Sequence, residues 1–135
     1  MVHERARLEA EAFLASDACR RLCADPDVWI RLLTPSGRFL HTDARLAEHL
    51  GYTPAAFAAA NPYDLTHPDD AVPMAEAHKA LANGPLQATY RFRRSDGTYA
   101  WLSTRFMLHG DLIVALGRPE DKANVASWAP VEPFI

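Results

Sequence analysis

The sequence predicts an α+β domain built on an antiparallel sheet, with short helices covering one face of that sheet. Residues 3–24 have helical periodicity, and the last third of the chain alternates apolar and polar residues as half-buried strands do. Between an early hairpin and those strands lie short segments that begin with helix-capping residues. The expected order is one helix, two strands, several short helices and three strands, which makes a sheet of five strands.

Composition is that of an ordinary globular domain. The 135 residues are 49% hydrophobic and 23% charged, which fits one domain with a real core. No apolar run approaches the roughly 20 residues that cross a bilayer, and the N-terminus lacks the apolar stretch of a secretory signal. We therefore expect a cytoplasmic protein without membrane contact. The net charge of −3, without a broad basic face, argues against nucleic-acid binding.

An N-terminal amphipathic helix is expected over residues 1–26. Its apolar stripe recurs at spacings of three and four residues and comprises Leu8, Ala12, Ala15, Cys19 and Leu22. The heptad-like spacing and the small residues would allow close approach of a second helix, so the stripe predicts a homodimer interface. Packing of the stripe on the chain's own sheet is the alternative. The spacing of Cys19 and Cys23 suits neither a disulfide framework nor a metal-binding knuckle.

The next segments carry turn and capping signals. "VWIRLLT" and "RFLHT", separated by "PSG", predict a β-hairpin. In "DARLAEHLG", Asp43 is the expected N-cap and Gly51 the left-handed C-cap. In "TPAAFAAAN", Thr53 is the expected N-cap and Pro54 the first helical residue. Two short helices in series are therefore expected.

The stretch "THPDDAVPM", residues 66–74, places a histidine beside two carboxylates. If a helix began at Pro68, Pro73 would lie in its second turn at a cost of about 3 kcal/mol. With Asp70 as N-cap, Pro73 lies in the first turn, so we expect the carboxylate of Asp70 to cap this helix. A metal site at His67, Asp69 and Asp70 would need a second ligand cluster, which the sequence does not show, so no metal is expected.

The closing strands follow from "LQATYRFRR", "TYAWLSTRFML" and "LIVALGR", joined by "SDG" and "HGD". Alternate residues of a strand share one face, and the more apolar of the two faces includes Tyr90, Phe92, Leu102, Thr104 and Phe106. These residues are expected to face inward together.

The order and spacing of four pieces resemble a PAS sensor domain: "PSGRFLHTDARLAEHLGYTPAAF", the "HPDD" helix start, "YRFRRSDGTYAWLS" and "LIVALGR". The resemblance covers residues 27–118. It implies a five-stranded sheet curved around a small cavity, and a role in sensing and protein interaction with no chemistry of its own. Residues 119–135 are expected to be a short C-terminal tail, since Pro130 and Pro133 would interrupt a coiled coil.

The resemblance also predicts a ligand pocket. Met74, His78 and Leu81 share one face of the helix that lines the cavity in the resembled fold. The predicted pocket comprises Met74, His78, Leu81, Tyr90, Phe92, Leu102, Thr104 and Phe106. In haem-binding members of the family a histidine of this helix ligates the iron, so His78 is a candidate haem ligand; a hydrogen-bonded or half-exposed histidine is the alternative. The family's flavin photoadduct would need a cysteine in the central helices, and none is present.

The leading functional hypothesis is a sensory or regulatory module that is not an enzyme. It would bind a small ligand or a partner protein and signal through protein–protein contacts, as a homodimer. The alternative class is a small isomerase or dehydratase of the NTF2-like type, with Asp, His and Tyr in its cavity. Element order separates the two, because that fold places two long helices early in the chain.

Overall fold

The computed structural model describes residues 4–135 and has the predicted α+β architecture. The helices are α1 (Glu4–Leu14), α2 (Asp17–Leu22), α3 (Ala44–Leu50), α4 (Pro54–Ala59), α5 (Pro62–Leu65) and α6 (Ala71–Ala80), with 3₁₀ turns at Pro68–Asp70 and Leu81–Asn83. The strands are β1 (Trp29–Leu33), β2 (Phe39–Thr42), β3 (Leu86–Arg93), β4 (Tyr99–His109), β5 (Leu112–Pro119) and β6 (Ser127–Pro130).

All strands form one antiparallel sheet in the order β2-β1-β5-β4-β3-β6. The sheet has six strands, so the predicted count of five is wrong. The additional strand lies in the segment predicted to be a tail, and it pairs with β3 from Leu86 opposite Pro130 to Thr89 opposite Ser127. Pro130 fits there because an edge strand tolerates a residue without an N–H.

Short helices with local capping signals cover the inner face of the sheet. The side chain of Asp43 accepts a hydrogen bond from the Arg45 N–H, and Gly51 ends α3 with φ of 83°. The side chain of Thr53 caps α4 in the same way, through the Ala56 N–H. The resulting inner core joins residues such as Leu46, Leu50 and Phe57 of the helices to Leu102 and Ile113 of the sheet, all of which are buried.

The outer face of the sheet is covered by α1 and α2, which are separate helices. Ser16 interrupts the predicted single helix because its side chain accepts a hydrogen bond from the Cys19 N–H and so starts α2. The face of α1 that packs on the sheet consists of Ala6, Ala10 and Phe13.

The predicted apolar stripe is therefore not one surface. Leu8 is 61% exposed, and Ala12 and Ala15 are also exposed. Cys19 is buried in the chain's own outer core, and Leu22 packs against that core. Burial raises the pKa of the Cys19 thiol to about 11, with the neighbouring Cys23 acting in the same direction.

The N-terminal helix is also fixed by polar contacts with the turn between β4 and β5. A carboxylate oxygen of Glu9 accepts a hydrogen bond of 2.8 Å from the main-chain N–H of Asp111. The Arg5 guanidinium forms an ion pair of 3.2 Å with the Asp111 carboxylate. Within residues 4–135, no helix combines the length and the apolar character that a membrane span requires.

Successive side chains of β1 point to opposite faces of the sheet, so this strand contacts both the inner core and the outer core. Ile30 and Leu32 face outward into the cluster that contains α1, whereas Leu33 faces the inner core. Arg31 lies between these outward residues and points inward, where it lines a cavity.

Candidate functional site: a cavity around a buried arginine

A cavity of about 90 Å³ lies between the inner face of the sheet and the helices α5 and α6. Six residues of the predicted pocket line it: Met74, His78, Leu81, Tyr90, Phe92 and Phe106. The other two, Leu102 and Thr104, do not line it and are buried beside it in the sheet. The structure therefore brings this face of α6 and the inward-facing side chains of the strands together around one space.

Arg31 is the residue that sequence reasoning missed. Its side chain is 1% exposed although it carries a full charge. Nη2 donates hydrogen bonds to the hydroxyl oxygens of Tyr90, at 2.8 Å, and Thr104, at 3.1 Å. These two hydroxyls are 2.9 Å apart and share a hydrogen bond of their own. The alternation of side chains in "WIRLL" could have identified Arg31, because it places this charged residue on the same inward face as Trp29 and Leu33.

The surroundings of this guanidinium are aromatic and contain no balancing charge. Its central carbon lies 5.4 Å from the ring centroid of Phe92 and 6.0 Å from that of Phe106. The Nε atom is buried and has no hydrogen-bond partner. Within residues 4–135, no carboxylate forms an ion pair with Arg31. Cation–π contacts stabilise the charge in part, since each contributes about 0.5–2 kcal/mol.

Gly117 gives the guanidinium room to cross the sheet. Arg31 is paired with Ala115 on β5, yet its guanidinium reaches Thr104, which is paired with Gly117. A Cβ at residue 117 would lie 3.0 Å from Oγ1 of Thr104 and 3.4 Å from Nη2 of Arg31. A side chain there would crowd both groups, so the glycine keeps the path open.

Tyr63 of α5 lies at the edge of the cavity. Its hydroxyl donates a hydrogen bond of 3.0 Å to the carbonyl of Ser36 in the β1–β2 turn. The hydroxyl approaches Gly37 so closely that a Cβ there would lie 2.5 Å from it. Burial raises the pKa of the Tyr63 phenol, while Arg38 opposes the rise. One hydrogen bond thus joins α5 to the hairpin beside the cavity.

The "HPDD" segment begins a helix, but not with the expected cap. Asp70 is the residue before α6 and Pro73 lies in its first turn, as predicted. The carboxylate of Asp70 makes no capping bond; it accepts three hydrogen bonds from Arg91, one from the main-chain N–H and two from the guanidinium. The side chain that caps is that of His67, whose Nδ1 accepts from the Asp69 N–H at 3.0 Å. No group of three or more metal-ligating side chains occurs among the described residues.

The haem alternative does not fit the cavity. His78 does line the space, and its ring centroid lies 6.4 Å from that of Tyr63. The cavity of about 90 Å³ is however far below the roughly 300–1,000 Å³ of sites for drug-sized ligands. A macrocycle would require the helices α5 and α6 to separate from the sheet.

Residues 39–111, more than half of the chain, match the family model described as PAS fold. This chain belongs to the PAS fold family. The NTF2-like alternative fails, since the PAS fold places short helices between the hairpin and the closing strands, as this structure does.

Solved structures share the PAS fold. The PAS-B domain of Cycle from Drosophila melanogaster, with bound ethylene glycol, superposes with a TM-score of 0.62 at 24% sequence identity. The match covers 68% of this chain and 99% of that domain. A domain of a sensory box sensor histidine kinase/response regulator from Geobacter sulfurreducens gives a TM-score of 0.63 at 20% identity, with 79% and 96% coverage. No curated protein matches this chain in sequence.

Proposed function

We propose that this PAS domain is a sensory module that binds a small molecule in its cavity and signals by altering a protein–protein contact. The observation that carries the proposal is a cavity of about 90 Å³ lined by a buried guanidinium that, within residues 4–135, has no counterion and whose Nε has no hydrogen-bond partner. A buried charge without a counterion is costly, and proteins retain such groups mainly where they serve function. The Cycle PAS-B structures, which hold ethylene glycol or glycerol, are examples of this fold with small bound molecules.

The signal would travel from the cavity to the outer face through β1. Arg31 faces the cavity, while its neighbours Ile30 and Leu32 pack in the cluster that contains α1 and α2. A ligand that repositions Arg31 therefore shifts the strand on which the N-terminal helices rest. Such a ligand favours whichever packing of those helices it binds more tightly.

The contact that responds would be a homodimer formed through the exposed side of α1. Because Ala6, Ala10 and Phe13 pack on the sheet, the apolar residues Leu8, Ala12 and Ala15 are left exposed. Cys19 and Leu22 contribute to the chain's own core, so the proposed interface keeps only the first three residues of the predicted stripe. Cys19 and Cys23 form no disulfide, which suits a reducing compartment, and on that ground we propose a cytoplasmic location.

Native mass spectrometry of the protein purified from cells tests ligand binding. We expect a species heavier than the chain by the mass of a small molecule, which denaturation releases. Two-dimensional NMR of the same sample should show shifts at Met74 and Phe106, which line the cavity, when that molecule is removed. A purified protein that carries no extra mass, and whose cavity resonances respond to no compound in a small-molecule library, would contradict the proposal.

Sedimentation velocity tests the dimer. We expect Leu8→Glu to convert a dimer to a monomer, since it places a charge in an apolar contact. Val72→Glu is the matched control, because Val72 is 69% exposed on α6, away from α1. A wild-type protein that remains monomeric at the highest soluble concentration, or equal effects of both substitutions, would refute the interface.

A further inference from the structure

The cavity presents an excess of hydrogen-bond donors at one place. The Nε–H of Arg31 has no acceptor. The hydroxyls of Tyr90 and Thr104 share one hydrogen bond, which uses the proton of one of them. Within residues 4–135, these two hydroxyls make no further hydrogen bond, so the proton of the other hydroxyl has no acceptor. A buried site with an unused N–H group and an unused hydroxyl proton is suited to a ligand that accepts hydrogen bonds.

The charge at this site points to an anion. Arginine does not lose its proton in proteins, so the guanidinium remains positive in its buried position. A carboxylate is an organic anion that a guanidinium binds well, because its oxygens accept charge-assisted hydrogen bonds from N–H groups. Binding would also remove the cost of an uncompensated buried charge.

The cavity lining away from Arg31 limits the size and polarity of the rest of the ligand. Leu33, Leu86 and Ile113 are among the aliphatic residues that line the cavity. The volume of about 90 Å³ is smaller than the roughly 150 Å³ engineered cavity that accepts benzene. A short alkyl chain fits such a space, whereas a second carboxylate would lie against aliphatic side chains.

We propose that the ligand of this PAS domain is a short-chain monocarboxylate of roughly two to four carbon atoms, whose carboxylate binds Arg31 and the hydroxyl of Tyr90, both of which line the cavity. The inference rests on the proposed function and gives its ligand a chemical class. The hydroxyl oxygens of Tyr90 and Thr104 hold the guanidinium in place. Tyr90, which lines the cavity, supplies the additional hydroxyl donor when Thr104 donates to it.

Isothermal titration calorimetry of the full chain with sodium butyrate tests the inference, in a buffer of low chloride content. Butyramide and 1-butanol are the neutral controls of matched size, and sodium nitrate is the anion without an alkyl chain. We expect butyrate to bind roughly 10- to 100-fold more tightly than either neutral compound, the ratio that a charged hydrogen bond of about 1.5–3 kcal/mol provides. It should also raise the thermal unfolding midpoint of the wild-type protein, since it binds only the folded state.

Three variants place the binding at Arg31. Arg31→Met keeps the length of the side chain and removes the charge, and we expect it to weaken butyrate binding by the same factor. Arg31→Lys keeps the charge but loses the planar fork, and it is expected to give an intermediate affinity. Arg118→Met is the matched control, because Arg118 is exposed on the face of β5 that points away from the cavity. This variant should bind butyrate as the wild type does. Circular dichroism of each variant establishes that it is folded.

The outcomes separate this inference from the proposed function. If butyramide or 1-butanol shifts cavity resonances and binds as tightly as butyrate, the carboxylate is refuted while small-molecule sensing stands. If nitrate binds as tightly as butyrate, the alkyl chain does not contribute to the affinity, and the proposed short-chain ligand is refuted. Undiminished butyrate binding to Arg31→Met would refute the site. A panel in which nothing binds also overturns the inference, and the native mass spectrum then decides the proposed function independently.

Discussion

The carboxylate of Asp70 is bound from two sides by one residue of β3, Arg91. One oxygen accepts from the main-chain N–H at 2.8 Å and from Nε at 3.1 Å, and the other accepts from Nη2 at 2.7 Å. The side chain of Asp70 is 1% exposed, while that of Arg91 is 23% exposed and its guanidinium stacks over Trp101 at 4.7 Å. This contact fixes the start of α6 to the sheet and so helps to position the helix that carries Met74 and His78 at the cavity.

Asp70→Asn is expected to lower the free energy of unfolding by roughly 2–4 kcal/mol. The substitution keeps the size of the side chain but removes the buried negative charge that accepts three hydrogen bonds from Arg91. Asp69→Asn is the matched control, since the Asp69 side chain is 79% exposed, and its effect should stay within about 0.5 kcal/mol. Urea unfolding followed by circular dichroism measures both values. Equal effects of the two substitutions would show that the contact with Arg91 does not stabilise the fold.

Tyr90→Phe and Arg31→Met are expected to have opposite consequences for the protein without ligand. Tyr90→Phe removes an acceptor of the buried guanidinium and should cost about 1–3 kcal/mol. Arg31→Met replaces an uncompensated buried charge with an apolar chain of similar length, which is neutral or stabilising in such settings. The double variant should therefore be more stable than Tyr90→Phe alone. A double variant that is less stable than both single variants would contradict this account of the arginine.

Gly117→Ala is expected to destabilise the protein by about 1–3 kcal/mol, the usual range for overpacking. The added methyl group would lie 3.0 Å from Thr104 Oγ1 in a fully buried place. Thr104→Ala removes that crowding, so the double variant should cost less than the sum of the two single changes. Strict additivity in chemical unfolding would mean that the two positions do not compete for space.

The parts of the fold that depend on local sequence could be predicted. The caps at Asp43 and Thr53 and the stop at Gly51 act within a few residues, and the structure shows all three. The alternation in β3 likewise specifies which side chains face inward wherever that strand is paired. Local chemistry was sufficient for these elements.

The errors arose where a distant partner decides the outcome. Asp70 was expected to cap its own helix, but Arg91 lies 21 residues further along the chain and takes both oxygens. The strand β6 forms by pairing with the edge of β3, and the sequence "SWAP" has no local pattern that predicts this pairing. In α1 the residues that pack on the sheet are Ala6, Ala10 and Phe13, and the predicted stripe does not contain them.

The same contrast between local patterns and distant partners applies to the candidate site, of which only a part could be predicted. Periodicity predicts the helix face that carries His78 and the strand face that carries Tyr90, and the resemblance to a PAS domain implies that they lie at a cavity; both do line it. Arg31 lies on the inward-facing side of β1, but arginine is almost never fully buried without a charged partner, so the sequence gives no reason to expect its burial. Its burial depends on Gly117 and on hydroxyls more than 50 residues away, which only the assembled sheet brings together.

Stability is expected to fall as the pH is lowered through about 6.5, in part because of His41. Burial lowers the pKa of His41 from its ordinary value of 6.5, while the carboxylate of Asp43 opposes this change. Below pH 6.5 the unfolded chain therefore binds a proton that the folded protein does not, so the free energy of unfolding decreases until the pH reaches the lower folded-state pKa. His49 contributes in the same direction, because burial and the nearby Arg94 lower its pKa while Asp121 opposes them.

Urea unfolding at a series of pH values between 5 and 8 measures this slope. His41→Gln should flatten it, since glutamine does not titrate, and His41→Gln/His49→Gln should flatten it further. The pKa of each imidazole, followed by NMR of the folded protein, provides an independent check, and both should lie below 6.5. A wild-type stability that rises on acidification, or a slope that His41→Gln leaves unchanged, would show that neutral His41 does not favour the folded state.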